Sequence, residues 1–308
     1  MLTGLTLLQV ALLLVASVLL DYLLGEARRW HPLVGFGKLA TLIESRLNRG
    51  RMRSARGAVA WVLAVLPLTA LSFWLPGLAV HAVLLYFCLG LRSLRDHNLP
   101  IASALERGDL ASARLLTSRI VSRDTADAND ADLAKASAES LLENGNDAVF
   151  GTLFWFAVAG GPGALLFRLA NTLDAMWGYR NARFLQFGCV AARIDDVLNF
   201  IPARLTALSY VLLADDRKRA WRCWRSQSPA WPSPNAGPVM ASGAGALGLA
   251  LGGSATYDGI AEMRPPLGEG SPANPGDIRR AWRLVEATTM LWLGVAGAVA
   301  LIGSLSDA

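Results

Sequence analysis

Carboxylates and amides recur at helical spacing in three stretches of this chain. The first is Glu139-Ser-Leu-Leu-Glu143-Asn144-Gly-Asn-Asp147. Read as a helix over residues 131–147, it places Glu139, Glu143 and Asp147 at i, i+4 and i+8, on one face if the helix tolerates Gly145. Like charges so placed repel by roughly a few tenths of a kcal/mol per pair, and a bound cation reverses that sign. Hard oxygen donors from these carboxylates and Asn144 suit Mg²⁺ held jointly with a phosphate-bearing substrate; the plainer reading is a solvated acidic face. The second stretch, Arg193-Ile-Asp195-Asp196-Val-Leu-Asn199 followed by Pro202-Ala-Arg204, opens an apolar segment. It sets Asp195 and Asn199 on one helical face and turns Asp196 about a hundred degrees away. Arg193 and Arg204 then act either as anion clamps beside a metal or phosphate site, or as partners in an ion-pair network that fastens helices. Asn171 and Asp174, one turn apart, repeat the pattern more weakly, and Asn171 has the ordinary alternative of capping a helix. Ser122-Arg123-Asp124-Thr125 alone reads as an N-cap ahead of a helix, and His31-Pro32 as a turn with a surface imidazole, the alternative being a catalytic base.

The elements that must carry these groups are apolar. Fifty-three per cent of the residues are hydrophobic, 17% are charged and the mean hydropathy is +0.37, outside the range of an ordinary soluble domain. Charge set beside hydrocarbon is costly, which makes function the default explanation of the clusters. The expected fold class is all-α: a single membrane-embedded, polytopic helical bundle over 1–308 with polar cytoplasmic helices and loops. Its parts run as a first span at 1–24, a basic loop at 25–56, a helical hairpin at 57–91, a polar helical region at 92–149, an apolar hairpin carrying the Asn/Asp motifs at 150–214, a loop at 215–283 and a last span at 284–305. Six segments are candidates to span: Leu5–Leu24, Ala58–Leu75, Gly77–Leu91, Phe150–Leu169, Val197–Ala214 and Ala287–Leu305. The first is expected to stay attached, because its first charge is Asp21 and no basic n-region precedes it.

Lys38 and the arginines at 28, 29, 46, 49, 51, 53 and 56 place the loop after the first helix in the cytoplasm, with the N-terminus outside. Strict alternation then puts residues 171–193 outside, away from the other polar motifs. A re-entrant or buried hairpin over Phe150–Ala214 removes the conflict, since charge at depth is tolerated inside protein or beside a water-filled cavity. The net charge of +5 sits beside apolar segments and is not interleaved with exposed aromatics, so the lipid bilayer with its anionic headgroups is the expected partner and nucleic acid is not. Cys88, Cys189 and Cys223 are isolated and read as structural, and no P-loop is present. Residues 225–238 and 263–275, rich in Ser, Pro and Gly, read as loops around a central small-residue segment.

Taken together, nearly end to end, these segments resemble the CobD/CbiB family of cobalamin biosynthesis, the adenosylcobinamide-phosphate synthases. The resemblance rests on Leu20-Asp21 with Leu24-Gly25, His31-Pro32-Leu-Val-Gly35, Ser122-Arg-Asp-Thr125, and Glu139 through Asp147 followed by Leu153-Phe-Trp155. It continues through Asn171-Thr-Leu-Asp174-Ala-Met-Trp-Gly178-Tyr179-Arg180, Ala192-Arg-Ile-Asp-Asp196 through Arg204, Asn235-Ala-Gly237-Pro-Val-Met240, and Tyr257-Asp-Gly259. Two loops depart from the family pattern, at Gly25-Glu26-Ala27 and at Pro238. The resemblance implies an integral membrane ligase of the bacterial cytoplasmic (inner) membrane, with its active site facing the cytoplasm. Using ATP and Mg²⁺, it would join the propionate carboxylate of an adenosylated corrinoid, adenosylcobyric acid, to 1-amino-2-propanol or its O-phosphate; a homo-oligomer is left open. On this reading Glu143, Asp147, Asp195 and Asp196 are the metal and catalytic groups, with His31 or a carboxylate as general base. Arg123, Arg193 and Arg204 clamp phosphate or carboxylate, and Asn144, Asn171, Asp174, Asn199 and Asn235 contact substrate. A transporter, a noncatalytic AmpE-like membrane sensor and a prenyl-transferase-like enzyme are the competing classes. The first lacks inverted-repeat hydropathy, the second does not need every cluster, and the third wants a second Asp-rich motif that Asn171-x-x-Asp174 does not supply.

Overall fold

The computed structural model describes residues 3–26, 31–75, 77–257 and 259–306. In chain order the helices are α1 (Leu7–Leu24), α2 (Pro32–Leu47), α3 (Arg53–Phe73), α4 (Leu78–Cys88), α5 (Leu91–Glu106), α6 (Leu110–Thr117) and α7 (Asp130–Gly145). A π-helical turn at Asn146–Phe150 leads into α8 (Gly151–Trp177), followed by α9 (Cys189–Leu213), α10 (Arg217–Gln227) and α11 (Ala236–Leu247). Three strands, β1 (Leu249–Tyr257), β2 (Ile260–Leu267) and β3 (Ser271–Pro272), precede α12 (Pro275–Ser306). Among the described residues six stretches are long and apolar enough to cross a membrane: α1, α3, Leu78–Glu106, Asp130–Trp177, α9 and α12. The protein is thus a helical, multi-pass membrane protein, as its composition requires.

The helix ends follow local chemistry. Thr6 and Gln9 close a capping box on α1, and His31 caps α2 with Pro32 at the first helical position. The left-handed Met52 separates α2 from α3. Asn129 accepts from the Asp132 N–H and starts α7. Ser122–Thr125 therefore caps no helix. It is a loop in which the Asp124 carboxylate accepts from the Gly259 N–H and Thr125 donates to the Arg114 carbonyl.

Contacts divide the chain, expected as one domain, into two compact units. The first comprises Met1–Leu91, Asp147–Asn199 and Leu293–Ala308; the second comprises Arg92–Asn146 and Phe200–Trp292. In the first unit Phe36 and Ala40 of α2 pack with Ala60, Trp61, Ala64 and Val65 of α3 and with Leu169, Leu173 and Trp177 of α8. The helix α8 reverses direction at Ala159 and Gly160, whose φ/ψ are −137/23 and 60/−154. Gly160 supplies the left-handed φ that the turn requires. Two close approaches mark the reversal: a Cβ on Gly151 would fall 2.2 Å from the Phe167 ring, and one on Gly163 would fall 2.3 Å from the Trp155 carbonyl. His81 of α4 accepts from the Gly161 N–H at 2.9 Å and so caps the second arm. The turn thus falls inside the first of the two apolar arms expected over 150–214, and α9 (Cys189–Leu213) is a separate helix.

In the second unit β1 pairs antiparallel with β2, from Leu251↔Leu267 to Tyr257↔Ile260 with a bulge at Gly252/Gly253, and parallel with β3. Residues 263–275, expected as loop, thus contribute most of an edge strand, where Pro265 and Pro266 are tolerated. The small-residue segment before them forms the fully buried α11 and then β1. The basic segment 217–227, expected as loop, is helical.

Candidate functional site

The reversal in α8 determines which carboxylates meet in the first unit. Asp147 lies twelve residues before Ala159, and Asn171 and Asp174 lie eleven and fourteen residues after Gly160, so the two arms bring them to similar height. The charges of Asp147 and Asp174 act on Asp195, and those of Asp147 and Asp196 act on Asp174. Asp195 is buried, with 7% of its surface exposed. Its Oδ1 accepts from Asn171 at 3.4 Å and its Oδ2 from Asn199 at 3.0 Å. Both are hydrogen bonds donated by side-chain amides, and among the described residues no arginine pairs with Asp195, so the ion-pair alternative does not describe it. The helix α9 begins at Cys189, eight residues before the expected Val197, so Asp195, Asp196 and Asn199 lie within the helix and not at its start. Asn171 likewise lies within α8 and caps nothing. Arg193 lies on the exposed surface of α9.

The π turn at Asn146–Phe150 inserts extra backbone between Glu143 and Asp147, so the expected i, i+4, i+8 stripe does not run on as one regular face. Glu139 and Glu143 belong to the second unit and Asp147 to the first. Glu139, 2% exposed, is the centre of a charged arrangement built from distant segments. Arg264 of β2 reaches its two oxygens at 3.0 and 3.1 Å, Arg123 donates to Oε2, and the Gly252 N–H donates to Oε1 at 2.8 Å. Burial works against the Arg264 charge, yet Glu139 and Tyr257 together hold its pKa above the ordinary value. This group forms one side of a pocket of about 410 Å³, which Glu143, Asn144, Trp231 and Tyr257 also line. Asn144 is oriented by donating to Ser140.

The remaining candidates have defined places. Arg204 donates to Asn235 Oδ1 at 2.8 Å and to the Phe200 and Pro234 carbonyls, with its guanidinium 3.5 Å from the Phe200 ring centroid. It fastens α9 to the segment leading into α11. His31 is buried at 8% exposure, not on the surface; its Nδ1 accepts from the Leu33 N–H and its ring meets Phe87 edge-on at 5.7 Å. Burial lowers its pKa, with Glu26 opposing and Arg168 adding to the effect.

Carboxylate and amide oxygens are hard donors of the kind Mg²⁺ takes. Among the described residues no three His, Cys, Asp or Glu side chains converge closely enough to hold an ion. Sequence reading missed Arg264, which lies 125 residues from Glu139 in a Met-Arg-Pro-Pro stretch where no spacing marks it. It also missed His81, although Gly160-Gly161-Pro162 signals the break that His81 caps.

The family model described as CobD/Cbib protein matches residues 14–285. A cobalamin biosynthesis protein CobD from Stutzerimonas stutzeri is 56% identical over 291 residues, covering 92% of this chain and 96% of that protein. One from Chromobacterium violaceum is 52% identical, covering 96% and 98%. One from Mycobacterium tuberculosis is 40% identical, covering 85% and 87%. No solved structure matches the chain significantly.

Proposed function

The chain belongs to the CobD/Cbib protein family, and on that premise we propose that it is an ATP-dependent ligase of cobalamin biosynthesis. The reaction joins the propionate carboxylate of adenosylcobyric acid to the amine of 1-amino-2-propanol or its O-phosphate. The observation that carries the reading is Asp195, a buried carboxylate held by two amides, with Asp147 and Asp174 near enough for their charges to act on it. A carboxylate is a poor acyl donor to an amine; ATP, with Mg²⁺ neutralising the phosphate oxygens, supplies the activation when bound. In the first unit Asp195, its rotamer fixed by Asn171 and Asn199, would be a protein oxygen ligand for Mg²⁺ with Asp147, Asp174 and Asp196 adding negative charge around it; since among the described residues no three carboxylates converge, the phosphate-bearing substrate would have to supply the other donors. In the second unit, taken by itself, Arg123 and Glu143 line one pocket, where the guanidinium suits a phosphate or carboxylate and the Glu143 carboxylate suits a proton acceptor. The location that goes with this reading is the bacterial inner membrane, with ATP reaching the site from the cytoplasm.

The test is incubation of the purified, lipid-reconstituted protein with adenosylcobyric acid, each amine and MgATP, with the amide product followed by mass. Wild type is expected to form product only with ATP. Asp195→Asn and Glu143→Gln are expected to lower kcat by about 10²-fold or more while inserting normally. Undiminished turnover in both variants would remove the site assignment, and product formation without ATP would remove the ligase chemistry.

A further inference from the structure

The basic segment after α1 has a surface that the proposed chemistry does not use. The helix α2 is sixteen residues long, is not among the span-length stretches, and lies between two helices that are. Its start is fixed where α1 and α4 end: the Tyr86 hydroxyl donates to the Gly25 carbonyl at 2.7 Å, and the His31 ring meets Phe87. Phe36, Ala40 and Glu44, spaced by four, form its buried face. The opposite face carries Val34, Lys38, Leu42 and Arg46 at the same spacing, all exposed, with Val34 at 58% and Leu42 at 52%. Arg49, Arg51 and Met52 in the turn that follows are exposed as well, Met52 at 76%.

The charge is one-sided. Residues 32–56 contain Lys38 and arginines at 46, 49, 51, 53 and 56, against the single acid Glu44. Glu44 faces inward and is neutralised by Arg183, whose guanidinium meets both carboxylate oxygens at 2.7 and 3.1 Å, so it offsets none of the exposed cations. Arg53 and Arg56 are engaged with the Ala182 and Arg49 carbonyls. Lys38, Arg46, Arg49 and Arg51 remain exposed, among exposed apolar side chains, in the segment between the end of α1 and the start of α3. A soluble polyanion satisfies the cations and leaves Val34, Leu42 and Met52 in water, whereas a lipid headgroup layer satisfies both.

We propose that the exposed face of α2 and the turn into α3 form a platform for anionic phospholipid headgroups, with Lys38, Arg46, Arg49 and Arg51 on phosphates and Val34, Leu42 and Met52 in the upper acyl region. The inference is independent of the ligase reading. It is tested on the full-length protein by native mass spectrometry after exposure to equal amounts of phosphatidylglycerol and phosphatidylcholine. Wild type is expected to retain phosphatidylglycerol by roughly fivefold or more, a preference that falls as salt is raised. Changing Lys38, Arg46, Arg49 and Arg51 together to Gln abolishes the preference, whereas changing the three arginines to Lys keeps it, which separates loss of charge from loss of fold. Equal retention by wild type, or a preference surviving the four-Gln variant, overturns the proposal. So does displacement of the lipid by glycerol phosphate at matched concentration, which marks a free-anion site in place of a headgroup surface.

Discussion

A carboxylate enclosed like that of Glu139, with 3% of its side chain exposed, needs charged partners at hydrogen-bond distance, and two guanidiniums supply them. Removing Arg264 leaves Glu139 with Arg123 and the Gly252 N–H but forfeits a buried bidentate pair, so Arg264→Ala is expected to lower the unfolding free energy by about 2 kcal/mol. A double-mutant cycle built from Arg264→Ala, Glu139→Gln and the two together reads the coupling directly in denaturant, and the double variant is expected to lose less than the sum of the singles. An additive cycle would show that the pair is not coupled. Glu44 gives a pH dependence of known sign. Its hydrogen bond from Arg183 outweighs burial, which alone would raise the pKa, and holds the carboxyl below its ordinary value of 4.5. A depressed acid contributes stability that is present above the unfolded pKa and lost as pH falls through the folded one. Protection of residues 178–188, measured by hydrogen exchange, is therefore expected to hold at neutral pH and to fall only well into acid. In Glu44→Gln it should be low and flat across the same range. Of these residues the sequence exposed the acids and not their partners: Glu139 and Glu143 stand out at helical spacing, whereas Arg264 and Arg183 are isolated basic residues until the chain folds.

Among the elements, α8 shows how local chemistry redirects a hydrophobic run. Gly160-Gly161-Pro162 in the middle of an apolar stretch permits a left-handed residue and starts the second arm with a proline among its first residues. His81 then satisfies the Gly161 N–H, which the break leaves without a helical acceptor. His81→Ala is expected to cost about 1 kcal/mol in thermal unfolding, as loss of a cap does, and His81→Asn to recover much of it. Gly160→Ala is expected to cost more. Its φ of 60° disfavours a side chain, and a Cβ there would meet the His81 ring at 2.8 Å. Equal and small effects of all three would mean that the turn is held elsewhere. The long apolar helices were legible because a run of twenty apolar residues has few other meanings. The strands were not, since Leu-Ala-Leu-Gly-Gly-Ser-Ala-Thr-Tyr has no alternation and β2 carries two prolines just before its last residue, Leu267.

At the scale of the molecule, the first unit has two distinguishable ends. A Cβ at Gly303 would lie 2.7 Å from Leu7, and one at Gly160 would lie 3.0 Å from Thr3 and 2.8 Å from His81, so the start of α1, the end of α12 and the turn of α8 share one end. Gly25, Tyr86 and His31 mark another part of the unit, where α1 and α4 finish and the basic segment begins. Cysteines introduced at Thr3 and Gly303 are therefore expected to react with a membrane-impermeant reagent from the same side, and one at Arg49 from the opposite side. Labelling of all three from one side would contradict the spans. The sequence alone determined that this is a helical membrane protein of the CobD/Cbib family and which polar residues stand out, because hydropathy and ordered motifs are properties of the chain itself. The tertiary structure decided which of them meet. A turn inside α8 sets Asp147 and Asp174 near Asp195, and a strand bearing Arg264 closes over Glu139, contacts that depend on backbone reversal and long-range packing and leave no mark in local spacing.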